Sequence, residues 1–294
     1  MSATLSPPLA ADPAGVVAQA EALAERVGRV RAAVGRAIFG QDDVVDQSLI
    51  ALLSGGHALL VGVPGLGKSR LVETLGVVLG LDAKRVQFTP DLMPADIVGS
   101  EVLDEADGRR SFRFVPGPVF CQLLMADEIN RASPRTQSAL LQAMFLLEIV
   151  VGYPDLDAER TMLLATTGAA EAPPAQAMTA AELIAAQALI RRVPVGEKVV
   201  DAILDMVRAG RPETSDDDAI RRHVAWGPGP RAAQALMLAC RARALLQGRL
   251  APSVDDVAAL ARPVLRHRMA LGFSARAEGV RLSDAIDRLI ARLG

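Results

Sequence analysis

The segment GVPGLGKS, at residues 62–69, restricts the possible folds of this chain more than any other feature. It fits the pattern G-x-x-x-x-G-K-[ST], follows the apolar run ALLVG and precedes the periodic segment SRLVETLGVVLG. Glycines in such a loop allow a tight turn, so that successive backbone N–H groups and the start of the next helix face phosphate oxygens. We interpret ALLVG as a strand buried on both faces, which is typical of a parallel α/β sheet.

Every residue of this loop is a candidate contact to a bound nucleotide. Lys68 carries the charge expected to reach the β- and γ-phosphates, and we assign it a catalytic role. The Ser69 hydroxyl is a candidate ligand for Mg²⁺. The alternative is a glycine-rich turn without a ligand. The candidate nucleotide contacts are Gly62, Val63, Pro64, Gly65, Leu66, Gly67, Lys68 and Ser69.

The segment LLMADEIN supplies a pair of carboxylates, because Asp127 ends an apolar strand candidate and Glu128 follows it. Mg²⁺ between phosphates needs an anionic ligand, and hydrolysis needs a group that orients water. We assign Asp127 to nucleotide binding and the Mg²⁺ shell, and Glu128 to polarising the attacking water. Together they would form a Walker B element. The alternative for this pair is a charge pair at a helix N-terminus.

The composition argues against several classes of function. A formal net charge of -2, without clustered excess Lys and Arg, gives no electrostatic footprint for a nucleic-acid partner. Cys121 and Cys240 are too few and too far apart for a disulfide framework or a Cys-based zinc site, which fits a reducing cytosol. No apolar run is long enough to span a bilayer, so we expect a cytoplasmic protein without membrane insertion.

The hydrophobic pattern divides the chain into three parts. Residues 1–14, rich in Pro, Ala and Ser, are predicted to form a mobile tail. In residues 15–153 helical stretches alternate with strand candidates, which predicts a parallel α/β core. In residues 154–294 apolar residues recur every third or fourth position, which predicts a helical domain whose only strand candidate is HVAW. The predicted core elements include a helix from residue 16 to about residue 39, a helix over DDVVDQSLIALLSG, strands over VQF and LLMAD, and a hairpin arm over FRFV.

Several segments, from GQDDVV at residues 40–45 onwards, resemble the MoxR-type AAA+ ATPases. The resemblance implies an α/β fold with the parallel-sheet core of a P-loop NTPase (AAA+), followed by an all-helical lid domain. GPGPRA at residues 227–232 is similar to the sensor 2 motif of this family, which would put Arg231 on the γ-phosphate as a catalytic residue. The alternative for Arg231 is a surface arginine at a helix start. The other similar segments are GGHALLVGVPGLGKS, QFTPDLMPADIVGSEV, FRFVPGPVF and ADEINRASPRTQSALLQAM.

The resemblance also implies an activity and partners. It implies an ATPase that binds ATP and Mg²⁺, is hexameric when active, and uses turnover to remodel a client protein or assist its assembly in a chaperone-like role. The implied partners are further copies of the chain, a client, and proteins with a von Willebrand factor A domain.

The segment LLQAMFLLEIVVGYPD, at residues 140–155, departs from the family pattern. No turn separates the helix-like LLQAM from the strand-like FLLEIVV, because Met144 directly precedes Phe145. In the family a hairpin, a strand with a polar sensor 1 residue and an Asp-Arg step lie between such segments, so several dozen residues are missing here. Asn130 is the only asparagine of the chain, and therefore no sensor 1 asparagine exists elsewhere.

The missing strand would leave a slot in the sheet between ALLVG and LLMAD. We expect either that FLLEIVV fills this slot or that the sheet contains a distorted gap, because unpaired backbone groups are costly. TMLLATTG at residues 161–168 is an alternative sensor 1 strand, with Thr166 or Thr167 as the polar residue. The acidic start PDLDAER favours a helix over DLDAERTMLLAT instead.

The missing arginine before Phe145 bears on catalysis, because the resemblance implies that it acts as a finger on the neighbouring subunit's nucleotide. Such fingers are worth roughly 10³ to 10⁵ in rate. ATP binding is therefore a firmer prediction than efficient hydrolysis, and Arg131 or Arg135 is an alternative finger. The alternatives for the whole chain are a nucleotide-binding scaffold with impaired hydrolysis, an internally deleted ATPase and, more distantly, a P-loop kinase.

Overall fold

The chain forms two compact units in a computed structural model. Among the described residues, 30–183 make up one unit, which we call the strand unit, and 13–29 with 184–293 make up the other, the helical unit. The boundaries of these units differ from those of the predicted core, 15–153, and the predicted helical domain, 154–294. The two domain boundaries stay a prediction. The structure describes residues 13–106, 109–134, 145–168 and 174–293.

The described helices agree closely with the periodic segments of the sequence. The first predicted helix ends at Gly35, earlier than the expected Phe39. The helices are α1 Pro13–Gly35, α2 Asp42–Leu53, α3 Lys68–Val78, α4 Pro94–Val98, α5 Leu156–Thr167, α6 Ala180–Ile190, α7 Glu197–Ala209, α8 Asp218–His223, α9 Pro230–Leu246, α10 Val254–Leu265, α11 Phe273–Ala277 and α12 Leu282–Ala291. Short 3-10 helices lie at Ile129–Arg131 and Arg266–Arg268.

The described strands form four two-stranded sheets. Parallel pairs join β1 to β6 and β2 to β5, and antiparallel pairs join β3 to β4 and β7 to β8. The strands are β1 His57–Val61, β2 Ala83–Gln87, β3 Gly99–Ala106, β4 Arg109–Pro116, β5 Leu123–Asp127, β6 Phe145–Val150, β7 Val224–Trp226 and β8 Ala270–Leu271. A parallel α/β core and a helical domain are therefore confirmed, as are the hairpin and the strand in HVAW.

The parallel strands do not form one continuous sheet. Among the described residues, β6 pairs with β1 but not with β5, so the slot-filling prediction is wrong and the alternative, a gap in the sheet, is confirmed. The two backbones approach each other closely at the end of β1. A Cβ on Gly62 would lie 2.5 Å from the Val151 carbonyl oxygen, and the Val151 N–H donates to the Val61 carbonyl at 2.7 Å. β6 is thus held tightly against β1.

The interrupted sheet leaves its strands partly open to solvent. Leu59 and Leu60 of β1 are half-buried and Val61 is exposed, so the prediction that this strand is buried on both faces is wrong. The reason is that β1 has a hydrogen-bonded neighbour on one side only in the described part of the chain. By contrast, Leu147 and Ile149 of β6 are fully buried, and α2 packs against both β1 and β6.

The segment after β6 is helical, as the acidic start predicted. The Asp155 carboxylate caps α5 by accepting a hydrogen bond from the Ala158 N–H at 2.8 Å. The hydroxyls of Thr166 and Thr167 donate to carbonyls one turn earlier, at 2.7 and 2.6 Å. The alternative of a sensor 1 strand at these threonines is therefore wrong, because the cap and the backbone favour a helix.

The helical unit has a dense core in which α9 and α10 pack against α7. Its polar centre is the carboxylate of Asp256, which is 0% exposed. Arg249 donates to both carboxylate oxygens at 2.8 and 2.5 Å, Arg243 donates to one of them, and the Ser253 N–H donates at 2.8 Å. This cluster satisfies a buried charge and joins the ends of α9 and α10.

Within the described ranges, no helix is both long enough and apolar enough to cross a membrane.

Candidate nucleotide site

The loop between β1 and α3 has the backbone expected of a phosphate-binding loop. Gly65 and Gly67 have φ angles of 88° and 75°, in the left-handed region where only glycine is unstrained. Gly67 is the N-cap residue of α3 and offers no side-chain acceptor to the first N–H groups of the helix. Those N–H groups, together with the positive end of the helix dipole, are suited to bind an anion.

Lys68 lies across this loop. Its ammonium group donates to the carbonyl oxygens of Gly62 and Val63 at 2.6 and 2.9 Å. The contacts hold the cation inside the curve of the loop, where an arriving phosphate would meet it. Outside the loop, the Gln41 side chain donates to the Leu66 carbonyl at 3.4 Å, a contact that sequence reasoning missed.

Asp127 ends β5, and its backbone is fixed by the neighbouring strand β2. Gln87 pairs with Asp127 in the ladder, and the Phe88 N–H donates to the Asp127 carbonyl at 2.9 Å. The carboxylate is half-buried and accepts a hydrogen bond from Arg85 Nη2 at Oδ2, at 2.6 Å. No sequence pattern indicates this arginine, because the contact depends on the register between two strands.

Glu128 follows in a left-handed conformation, with φ 54° and ψ 39°. Among the described residues it is the only non-glycine residue with positive φ, a conformation that costs a non-glycine residue about 1–2 kcal/mol. The 3-10 turn from Ile129 brings Arg131 above Glu128, because residues i and i+3 eclipse in such a turn. Arg131 Nε lies 2.6 Å from Glu128 Oε2.

Two arginines were alternatives for the missing finger. Arg131 makes an ion pair with Glu128 of its own chain, and Arg135 lies outside the described residues, as does the segment LLQAM. A finger role for either residue therefore stays a prediction.

Arg231 is the second residue of α9 and is exposed. The preceding loop is fixed by Arg211, whose Nε donates to the Pro228 carbonyl at 2.9 Å, and Pro230 occupies the first turn of the helix. Arg231 belongs to the helical unit, whereas the loop and the acidic pair belong to the strand unit. Its contact with a γ-phosphate stays a prediction.

The other candidate site residues lie in the strand unit, at or just after the ends of strands. Lys68 and Ser69 follow β1, and Asp127 and Glu128 end or follow β5, so both sets lie at the carboxyl ends of parallel strands, where open α/β sheets bind ligands. The helix that begins at Lys68 also contacts β5. In the described ranges no group of three or more His, Cys, Asp or Glu residues is arranged to hold a metal. A cation here would thus depend on few protein ligands and on phosphate oxygens, as Mg²⁺ commonly does.

Comparison with known proteins places these features in a family context. Residues 57–185 match the model of the "ATPase family associated with various cellular activities (AAA)", and residues 216–289 match the AAA lid domain. Chaperone MoxR1 of Mycobacterium tuberculosis is 34% identical, over 97% of this chain and 86% of its own length. Protein MoxR of Paracoccus denitrificans is 30% identical, over 82% of this chain and 87% of its own.

A solved structure is also similar. The crystal structure of a "putative ATPase" from Cytophaga hutchinsonii superposes with a TM-score of 0.85 at 26% identity, covering 93% of this chain and 96% of its own.

The alignment with MoxR1 supports a missing internal segment. It extends over 331 positions, although 97% of the 294 residues of this chain is only about 285 residues. About 46 positions (331 minus 285) are therefore gaps in this chain. That number is in the range of the several dozen residues predicted to be absent.

Proposed function

Since the chain belongs to the MoxR-type AAA+ ATPase family, we propose that it binds ATP with Mg²⁺ and hydrolyses it to remodel client proteins or assist their assembly. The observation that carries the proposal is the glycine loop on β1 and α3, with its two left-handed glycines and Lys68 held inside its curve. A loop of this shape presents N–H groups and one cation to a phosphate chain.

Each candidate residue has a role in this proposal. The backbone from Gly62 to Gly67 cradles the phosphates, Lys68 contacts the β- and γ-phosphates, and Ser69 and Asp127 hold Mg²⁺. When bound, Mg²⁺ neutralises charge on the phosphates and helps to fix their orientation.

Two side chains act on the reaction itself. Glu128 accepts a proton from, or polarises, the attacking water, and Arg131 lies beside its carboxylate at Oε2. Arg231 of the lid neutralises charge that develops on the γ-phosphate. These two roles distinguish hydrolysis from binding.

A second candidate function is a nucleotide-binding scaffold with impaired hydrolysis. The specific observation in its favour is the interrupted sheet, in which the described residues contain no strand between β1 and β5. Sensor 1 would lie on that strand and the missing arginine just after it, and neither contributes to holding the phosphates. The loop and Asp127 can therefore bind nucleotide while turnover is slow. An internally deleted ATPase is the corresponding genetic hypothesis, which sequencing of the locus tests directly.

The experiment that separates turnover from binding is a steady-state ATPase assay of the purified chain beside Glu128→Gln. Glu73→Gln is a matched control, because Glu73 is an exposed residue of the helix α3 that follows the loop. Turnover that Glu128→Gln abolishes and Glu73→Gln preserves supports the ATPase. Nucleotide binding without turnover supports the scaffold, and no nucleotide binding at all contradicts both.

The assembly and its partners belong to the same proposal. We propose a homo-oligomer, a hexamer when active, in the cytoplasm, with a client protein and a partner containing a von Willebrand factor A domain. Native mass spectrometry with and without ATP measures the subunit number. A chain that remains monomeric at all ATP concentrations would contradict the ring.

A further inference from the structure

The carboxylate of Asp127 already has a cation beside it. Arg85 lies two residues before Gln87 on β2, and Gln87 is the ladder partner of Asp127. Residues two apart in a strand share a face, so Arg85 is the diagonal neighbour of Asp127. Its Nη2 reaches Asp127 Oδ2 at 2.6 Å.

This contact uses one of the two carboxylate oxygens that a divalent cation could bind. Mg²⁺ at nucleotide sites is usually held by one or two carboxylates together with phosphates, and it demands near-ideal geometry. The arginine and Mg²⁺ therefore compete for one carboxylate group.

The ion pair has the properties of a contact that can open. The Arg85 side chain is 46% exposed and that of Asp127 is 22% exposed, so water screens their attraction and solvates the arginine once it leaves. The backbone of Asp127 is held independently, through the β2–β5 ladder and the N–H of Phe88. Arg85 can thus move away without disturbing the strand that carries the carboxylate.

We propose that Arg85 is a positioning residue that acts as a built-in counter-cation for Asp127 and raises the Mg²⁺ concentration needed to load nucleotide. The inference rests on the proposed nucleotide site. In the absence of Mg²⁺, Arg85 holds the Asp127 carboxylate in one orientation and neutralises its charge. Loading replaces the arginine, so part of the binding free energy of Mg²⁺ is used to open the ion pair.

A purely structural role is the competing interpretation of Arg85. In that case the arginine only ties β2 to β5, and its loss lowers stability without changing the dependence on Mg²⁺. A direct contact between Arg85 and the phosphates is a further alternative, which predicts weaker nucleotide binding even without Mg²⁺.

The test is a Mg²⁺ titration of the binding of a fluorescent ATP analogue to wild type and Arg85→Gln. We expect Arg85→Gln to lower the Mg²⁺ concentration at half-saturation by about two- to fivefold, the range for a partly exposed ion pair. Binding of the analogue without Mg²⁺ should be the same in both proteins. An unchanged or higher Mg²⁺ requirement, or weaker Mg²⁺-free binding, overturns the proposal.

Lys84→Gln is the matched control. Lys84 is the adjacent cation on β2, its side chain points to the opposite face of the strand, and its Nζ donates to the Phe120 carbonyl at 3.3 Å. We expect the Mg²⁺ titration of Lys84→Gln to coincide with that of wild type. An equal shift in both variants would mean that any lost positive charge has the same effect, which contradicts a specific role of Arg85.

Arg85→Lys keeps the inference testable if Arg85→Gln does not fold. A lysine retains the charge but lacks the planar guanidinium, so we expect a smaller shift in the same direction. Failure of this inference is distinguishable from failure of the proposed function. If the analogue binds to none of the proteins, the nucleotide site is wrong, whereas identical Mg²⁺ titrations with normal binding reject only the role of Arg85.

Discussion

The strand unit and the helical unit differ in how they surround their acidic side chains. In the helical unit, Asp256 is fully buried and two arginines and a backbone N–H satisfy it. In the strand unit, Asp127 and Glu128 are half-buried, and each pairs with one arginine that water can reach. A buried, fully bonded carboxylate thus serves stability, whereas an open, singly paired one remains available for a ligand.

The two units also differ in how far their backbone hydrogen bonds depend on distant segments of the chain. A helix satisfies its backbone hydrogen bonds internally, whereas a strand depends on neighbours that are distant in sequence. Leu236 of α9 in the helical unit is fully buried, whereas β1 of the strand unit is only half-buried.

Asp256→Asn should lower the stability of the helical unit strongly. It leaves Arg243 and Arg249 facing a neutral group, and we expect a loss of about 3 kcal/mol in the free energy of unfolding. The lower end of the usual range applies because both arginines keep some contact with water. Urea unfolding followed by the fluorescence of Trp226, the only tryptophan and part of the helical unit, measures the loss.

Asp255→Asn is the control for this measurement, because Asp255 is the exposed neighbour in the same first turn of α10. It should change the free energy of unfolding by less than about 0.5 kcal/mol. Equal losses in the two variants would show that the buried cluster contributes nothing beyond ordinary charge at a helix N-terminus.

A pair of leucine truncations measures the difference in packing. Leu236→Ala, at a fully buried position of α9, should cost roughly 2–5 kcal/mol. Leu59→Ala, at a half-buried position of β1, should cost about 1 kcal/mol, because part of the side chain is already in water. Hydrogen exchange with mass spectrometry reports on each unit separately. A cost for Leu59→Ala as large as that for Leu236→Ala would contradict a partly open strand.

The stability of the helical unit should fall in acid. Burial acts to raise the pKa of Asp256, but hydrogen bonds from Arg249, Ser253 and Arg243 outweigh this effect and lower it. The folded pKa is thus below the unfolded value of about 3.9. The ionised form therefore contributes stability that is fully present above about pH 4 and is lost as the pH falls through the lower folded pKa.

Urea unfolding of wild type and Asp256→Asn between pH 6 and pH 2 checks this sign. The variant should lose less stability on acidification, with a residual loss from Asp217, whose pKa is lowered by its hydrogen bonds with Arg288. A steeper acid dependence in the variant than in wild type would contradict the assignment.

The two cysteines are expected to differ in their reactivity towards thiol reagents. Burial raises the pKa of the Cys240 thiol to about 12, and its side chain is fully buried in the helical unit. Cys121 is half-buried in the strand unit. A thiol reagent at pH 8 should label Cys121 first and leave Cys240 unlabelled in the native chain, because only the thiolate reacts. Equal rates at both sites would indicate that the helical unit opens readily.

Much of this architecture is predictable from the sequence, because it depends on local patterns. The glycines and Lys68 of the loop, the strand that ends at Asp127 and the helices after Pro154 are all specified by residues close in the chain. The absence of a second asparagine besides Asn130 excludes a sensor 1 asparagine elsewhere in the chain. These features need no knowledge of distant contacts.

The remaining features depend on contacts between distant residues or on backbone geometry. The pairing of Arg85 with Asp127 requires the register of two strands 42 residues apart, and no periodic pattern encodes it. The left-handed backbone of Glu128 has no sequence signal, because glycine is the usual residue there. The choice between a filled slot and a gap depends on which strands pair across long stretches of sequence, which is a tertiary property.

The central claim is that the loop and Asp127 retain a nucleotide site although the sheet is interrupted. Isothermal titration of ATP with Mg²⁺ into wild type and Lys68→Ala tests it most directly, with Lys84→Ala as the control for a lost lysine charge. We predict one nucleotide per chain in wild type and control, and an affinity at least about tenfold lower in Lys68→Ala, from the loss of one charge-assisted contact. Absence of binding in wild type, or equal affinity in all three proteins, would contradict the claim.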